Sequence, residues 1–551
     1  MKRLTSWVAS LSLITAVAGT AADTLSESKI VQRLRDATRG GTPGVAILVA
    51  RNGQIVFQDG FGFADVAHQA PISVATKFRI GSITKQFTAA AVLRLAEQGK
   101  LSLDDPLAKY FPDFPHGDQI TLRHLLTHTS GIHSYTEKPG FMSRVTSPID
   151  PEKLIEWFRN DPPDFAPGTK FRYDNSGYFL LGEIVAKVSG KPYGDFLREA
   201  FFEPLGMKDT GVYSNAAPPP GMALGYSVTN GKAEPALDWD MSWAGGAGSL
   251  YSTVGDLFRW NEAFFGGRVV NAASFSAATT PVELPADADG MKYGFGQLVF
   301  TVKGLPAIGH GGGLNGWLGD LLRLPEQNCT VVALANAMPS MPEVNPAEIT
   351  RSLAGQLLAD EIEKVPVPTA DAALDPKTLG DYAGQYDYRM GIMAVTVEGD
   401  ALFGRLTGQP RLRLWPKARD EFFPKEADAQ LTFLRNEQGQ VVAIRHAQNG
   451  QVFRAAKLGE PAVSLTPGQL DAIVGQYQYG PNAILTVTRD GTQLFAQLTG
   501  QPRFPIFAKG ADEFEWHVVL AAVKFVTEEG GKVTKAIHTQ NGTTFEAPKI
   551  K

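Results

Sequence analysis

Gly81-Ser82-Ile83-Thr84-Lys85-Gln86-Phe87-Thr88 is the stretch on which the reading of this chain turns. A serine stands three residues before a lysine, at the start of a run that predicts a helix to about Gly99. Residues three apart share a helix face. The spacing therefore sets the Ser82 hydroxyl beside the Lys85 ammonium, at a helix N-terminus whose dipole favours negative charge. A serine attacks a carbonyl only when a base takes its proton or a cation stabilises its alkoxide. This stretch supplies the cation, and the helix end helps to hold an oxyanion. The pattern alone is weak, because an N-cap serine followed by a solvated lysine also satisfies it. Ser26-Glu27-Ser28-Lys29 matches too, and is set aside as lying before any fold element.

Working outward, Gly44–Ala50 and Gln54–Phe57 read as a β-hairpin turning at Asn52-Gly53. Helical periodicity follows the Ser82 run through 122–126, 154–158, 178–188 and 193–202. The period returns to strands at 296–302, 307–309, 318–324 and 330–334, and a helix from Pro346 to about Glu363 closes the unit. Strands at both ends with helices between predict one sheet built from the two ends of a domain, with a helical insertion. Val365-Pro366-Val367-Pro368-Thr369 reads as a linker.

Beyond the linker the chain repeats itself. Gly384-Gln385-Tyr386 recurs at Gly475-Gln476-Tyr477, and Leu406-Thr407-Gly408-Gln409-Pro410-Arg411 at Leu498-Thr499-Gly500-Gln501-Pro502-Arg503. The offset is 91 and then 92 residues. Two tandem all-β modules are predicted, of barrel or sandwich type. The predicted domains are 23–364, 371–459 and 460–551, joined by a linker at 365–370.

With 43% apolar and 20% charged residues, the composition is that of a soluble globular protein. A net charge of −5 with no basic run excludes nucleic acid as the expected partner. Lys2 and Arg3, the apolar run Trp7–Ala18 and the small residues to Ala22 read as a signal peptide, residues 1–22, and predict a periplasmic or secreted protein. No later segment is long and apolar enough to span a bilayer. One cysteine, Cys329, allows no intramolecular disulfide and reads as a core residue.

Two more short patterns follow Ser82-x-x-Lys85 in order: Tyr173-Asp174-Asn175 before a predicted helix, and His310-Gly311-Gly312-Gly313 at a predicted strand end. In this order the chain resembles the serine β-lactamase and penicillin-recognising hydrolase family, in the branch of class C β-lactamases, D-aminopeptidases, D,D-peptidases and esterases. That family carries S-x-x-K, Y-x-N and then K-T-G or H-x-G. Leu125–Gly131, Pro167–Phe171, Gly177–Gly182, Pro204–Met207 and Gly246–Asp256 look like family segments, so the resemblance spans about residues 28–360.

The resemblance implies an α+β catalytic domain, an antiparallel sheet flanked by helices with a helical subdomain. The two repeated β modules also resemble the D-aminopeptidase architecture. It implies that Ser82 forms an acyl-enzyme, that Lys85 keeps protons mobile and that Tyr173 is the general base, its pKa lowered by adjacent cations. It implies that Asn175 binds Lys85 and substrate, and that the N–H groups of Ser82 and Gly313 form an oxyanion hole, with Gly312 leaving room for substrate. His310 takes the place of the usual lysine and is expected to titrate near neutral pH, giving an ionisation between about pH 5 and 8. Asp174 stands where a serine is common, and either brings a carboxylate to the site or caps the next helix. No cofactor or metal is implied, and His124, His128 and His133 read as structural. The expected substrates are small peptides, amides or esters, peptidoglycan-derived ones among them. The alternatives are a carboxylesterase, a weak class C-type β-lactamase, and a non-catalytic cell-wall or peptide-binding protein.

Overall fold

The computed structural model describes residues 25–551, apart from 230–231, 285–289, 339–341, 363–375, 389–390, 408, 426, 428, 437, 449–450, 459–464, 481–482, 500–502, 517–520, 529–531 and 541–542. The expected signal peptide and linker lie outside the described residues. The chain divides into two compact units at 365/366.

In the first unit, helix α1 (Lys29–Thr38) precedes the hairpin of β1 (Val45–Arg51) and β2 (Gln54–Phe61). Asn52 and Gly53 both take positive φ, 54° and 74°, as a tight two-residue hairpin turn requires. The Ser26 match falls on the first turn leading into α1, whose N-cap is Ser28, rather than ahead of the fold. Helices α2 (Thr84–Glu97), α3 (Asn175–Ser189) and α4 (Val254–Phe265) follow. Then come β3 (Leu298–Val302), β4 (Leu305–Leu314), β5 (Trp317–Leu324) and β6 (Cys329–Ala335), and α5 (Pro346–Leu357). The sheet order is β3-β4-β5-β6-β1-β2, with antiparallel neighbours throughout. The first and last strands of the unit thus lie side by side at its centre, as the periodicity predicts.

Both faces of this sheet are covered, which explains the unbroken apolar run of β1. Ala46, Leu48 and Ala50 face the helical region together with Leu321, Val332 and Leu334. Val45, Ile47 and Val49 face α1 and α5, where Val31, Leu34, Ile349 and Leu353 pack. Cys329 is buried on that second face. Helix α2 runs through the middle of the first core and is buried on almost every side. That placement lets it carry a buried lysine near its start.

His310-Gly311-Gly312-Gly313 forms the C-terminal part of β4, which is longer than the expected 307–309 and continues to Leu314. The glycines are there for space. A Cβ on Gly312 would sit 1.9 Å from the Ile80 carbonyl oxygen, and one on Gly81 would sit 2.8 Å from Gly313 N. Only bare backbone allows β4 to lie this close to the turn that carries Ser82.

The second unit consists of two all-β modules. Eight strands from Gly384–Asp387 to Gln451–Lys457 pair antiparallel in chain order, and the last returns to the first at Tyr386 and Lys457, closing a barrel. Eight more, from Gly475–Gly480 to Thr543–Pro548, repeat the order and are nearly closed by a bridge from Tyr477 to Lys549. The repeat is visible atom by atom. Tyr386 Oη donates to Tyr382 O at 2.7 Å, and Tyr477 Oη to Ile473 O at 2.6 Å. The glycines two residues earlier take φ of 148° and 151°.

Candidate active site

Ser82 sits on a single 3-10 turn, Gly81–Ile83, that leads into α2. Gly81 has a positive φ of 50°, which turns the chain from the preceding strand into the helix. Ser82 is half-buried, whereas the Lys85 side chain is fully buried. Lys85 Nζ lies 3.2 Å from Ser82 Oγ, 2.8 Å from Asn175 Oδ1 and 2.9 Å from the Ala247 carbonyl oxygen. Asn175 and Ala247 present acceptors only, so they take two N–H bonds from the amine. The third direction faces a hydroxyl that can donate as well as accept. Burial pushes the Lys85 pKa from 10.5 down to about 7, against the opposing pull of Asp174. Near neutral pH the amine is therefore partly unprotonated, with its lone pair available to the Ser82 proton.

The orientation of Asn175 is fixed from behind. Its Nδ2 donates to Thr136 Oγ1 at 3.0 Å, its backbone N–H to Ser134 Oγ at 3.1 Å, and the two hydroxyls lie 2.9 Å apart. Asp174 meets both of the readings left open for it. It caps α3, accepting from Gly177 N, and it is a buried carboxylate that favours the charged form of Lys85.

Tyr173 does not behave as expected. Its ring lies 4.8 Å from Lys85 Nζ, yet burial raises its pKa far above the usual tyrosine value, against the opposing pull of the neighbouring Ser82. Its hydroxyl is buried and has no hydrogen-bond partner of ordinary geometry among the described residues. At neutral pH it is a phenol, able to donate a proton but not to serve as a ready base.

His310 corrects a second expectation. Its Nδ1 lies 2.6 Å from the Gly311 carbonyl oxygen and its Nε2 2.9 Å from Tyr293 Oη. A carbonyl only accepts, so Nδ1 carries the proton and Nε2 accepts from the tyrosine. That is a neutral ring with both nitrogens satisfied. Burial first, and then the charge of Lys85, take its pKa from 6.5 down to about 3. The ionisation near neutrality belongs to Lys85 and not to His310.

Gly312 and Gly313 lie against the Ser82 turn: a Cβ on Gly312 would be 3.2 Å from Ser82 N. All seven residues singled out from the sequence thus converge on one place. Sequence reasoning missed the wall behind them. The ring of His128, read as structural, lies 4.3 Å from the Tyr173 ring and 4.6 Å, edge to face, from that of Tyr293, and its Nδ1 accepts from Asp174 N at 3.2 Å. Its place in Leu125–Gly131, a segment already noted for its resemblance, was the available signal. The Ala247 carbonyl lies likewise in the noted segment Gly246–Asp256, whereas Thr136 and Tyr293 carried no signal.

A family model described as "Beta-lactamase" matches residues 27–356. The chain belongs to the Beta-lactamase family. A second model, a domain of unknown function (DUF3471), matches residues 369–456, across the first barrel. A penicillin-binding protein of Bacillus subtilis (strain 168) is 28% identical over 417 residues, covering 71% of this chain and 90% of that one. Among solved structures, the octameric penicillin-binding protein homologue from Pyrococcus abyssi is similar with a TM-score of 0.54 and 26% identity, covering 78% of this chain and 98% of that one. The D-amino acid amidase from Ochrobactrum anthropi SV3 gives a TM-score of 0.52 and 26% identity, covering 61% of this chain and 99% of that one. This member of the Beta-lactamase family is a serine hydrolase of β-lactamase-related type. Among the described residues no helix is long and apolar enough to cross a membrane.

Proposed function

We propose that this hydrolase cleaves small amides or esters, D-amino acid amides and peptides foremost, through an acyl-enzyme on Ser82, and that it acts outside the cytoplasm after loss of residues 1–22. The observation that carries the substrate class is the neutral, doubly bonded His310. A lysine at that position would hold a fixed charge for a substrate carboxylate; this histidine offers none. The site therefore favours substrates without a carboxylate beside the scissile bond. The similarity to a D-amino acid amidase supports the same class.

In this reading Lys85 in its amine form takes the Ser82 proton as Oγ attacks the carbonyl carbon. The carbonyl π pair moves to oxygen, and the N–H groups of Ser82 and Gly313 stabilise it. Collapse expels the amine or alcohol, which takes a proton from Tyr173; Lys85 returns the proton to the phenolate. Water repeats the sequence on the acyl-enzyme, freeing the acid and restoring Ser82. Asn175 holds Lys85 and offers its remaining amide N–H to substrate.

Three probes test the class side by side: D-alanine p-nitroanilide, p-nitrophenyl butyrate and nitrocefin. Turnover of the anilide or the ester well above nitrocefin is expected. Nitrocefin as the fastest substrate would overturn the reading in favour of a β-lactamase, and cleavage of the ester alone would leave a carboxylesterase.

Asp174→Asn tests the electrostatics. Asparagine also caps helices well, so the fold should hold. Loss of the carboxylate removes the influence that raises the Lys85 pKa. The acid limb of kcat/KM should then move to lower pH, by up to about one unit. A limb that stays in place or moves upward would show that Lys85 is not the titrating group.

A further inference from the structure

A second cavity, of about 380 Å³, lies in the helical region, bounded by 114–120, 130–133 and 158–167. It shares no side chain with the site described above. Its size is that of a small-molecule pocket. Phe114, Ile120, Ile132 and Phe158 are buried in its walls, and Phe165 is half-buried.

The cavity is preformed. Gly131, at φ 77°, is pressed so closely by the Phe165 carbonyl that a Cβ there would lie 2.0 Å from its oxygen. Asp164 N donates to Gly131 O at 2.8 Å, and Gly168 N to Thr129 O at 2.8 Å. Pro162, Pro163 and Pro167 stiffen the same wall. A pocket held this way costs a ligand little ordering energy.

Its charge is one-sided. Asp161, at the rim, is bound by Lys138. His133 Nδ1 lies 3.0 Å from Asp164 Oδ1, and Arg172 also pairs with Asp164 at 2.9 Å. Arg159 lines the cavity, is half-buried, and its guanidinium has no ion-pair or hydrogen-bond partner among the described residues. An apolar chamber with one uncompensated guanidinium matches an apolar body carrying a single carboxylate, because the planar fork of arginine engages both carboxylate oxygens.

We propose that this cavity binds a small amphiphilic carboxylate, its aromatic or short aliphatic body between Phe114, Ile132 and Phe158 and its carboxylate on Arg159. Both an aromatic acid and a short fatty acid have this chemistry. The pocket borders the active site through one stretch of backbone: Ser130–His133 forms its wall and runs directly into Ser134 and Thr136, which hold Asn175.

Calorimetric titration of the full-length protein with 3-phenylpropionate, octanoate and the uncharged 3-phenylpropanamide tests this. One-to-one binding is expected, with at least one acid about tenfold tighter than the amide. The preferred acid identifies the body the cavity takes. Arg159→Gln should abolish the preference for acid over amide while hydrolysis proceeds at the wild-type rate, which also shows that the variant folds. Ser82→Ala should leave the binding unchanged. An acid affinity that Arg159→Gln does not alter, or that Ser82→Ala abolishes, or no binding of either acid at millimolar concentration, overturns the inference. The readout is heat of binding, so it is separate from the choice of substrate for hydrolysis.

Discussion

Ser82→Ala is expected to lower turnover of every hydrolysed probe by about 10⁴-fold or more, because what remains is only binding and an oxyanion hole without an attacking atom. The structure makes this a clean removal. The Ser82 side chain is half-buried, and its hydrogen-bond partner is the Lys85 amine. Lys85 keeps its bonds to Asn175 and Ala247 when the hydroxyl is gone. Stability should change by no more than about 1 kcal/mol, the usual worth of one hydrogen bond. Thermal unfolding and residual activity, measured on one preparation, separate the two effects. Undiminished turnover of the anilide and the ester would remove Ser82 from the chemistry.

The second large effect is expected at Lys85. Lys85→Met keeps the length and apolar stem of the side chain and removes the amine. A general base is worth about 10²–10⁴-fold, so kcat should fall by that much. In the wild type, kcat/KM should rise with pH through an ionisation near 7, where the Lys85 amine loses its proton. Stability carries the same signature. The folded-state pKa lies below the ordinary value of 10.5, so folding expels a proton from this amine. The wild type should therefore gain stability relative to Lys85→Met as pH rises from about 7 to 10.5, and the difference should be flat below 7. Denaturant unfolding of both proteins at pH 6.5, 8 and 9.5 measures it. A difference constant over that range would mean that the buried amine is as protonated in the fold as in water.

Much of this was legible in the residues, for identifiable reasons. The hairpin at Asn52-Gly53 and the run Thr330–Leu334 follow from turn chemistry and local period. Ser82 and Lys85 meet because three residues along one helical stretch bring them together. What local spacing does not encode is burial. Nothing in Ser82-x-x-Lys85 says that α2 passes through the middle of a core, yet burial there takes the amine's pKa from 10.5 down to about 7. Tyr173 and His310 differ from expectation for the same reason: a base lowered by nearby cations was expected of the first and an ordinary imidazole of the second, but both lie in an aromatic wall with His128 and Tyr293, where burial outweighs those influences. The extent of β4 escaped because a run of glycines reads as a turn unless the backbone it must approach is known. Thr136 and Tyr293 belong to segments that no motif points to, and a backbone carbonyl such as that of Ala247 leaves no mark in residue identity even inside a noted segment.

The position of β1 beside β6 has a consequence for the order of events in the life of the chain. Gly44 N bonds Asn336 Oδ1 across 292 residues of sequence, and the whole length of β1 pairs with β6. Ser82, Lys85, Tyr173 and Asn175 all emerge during synthesis long before β4, β5 and β6 exist. Contacts of such long range form slowly and late. In the proposed mechanism, a chain that has not yet formed β4 to β6 holds Ser82 and Lys85 without Gly313, so hydrolytic activity is expected to appear only once the sheet is complete.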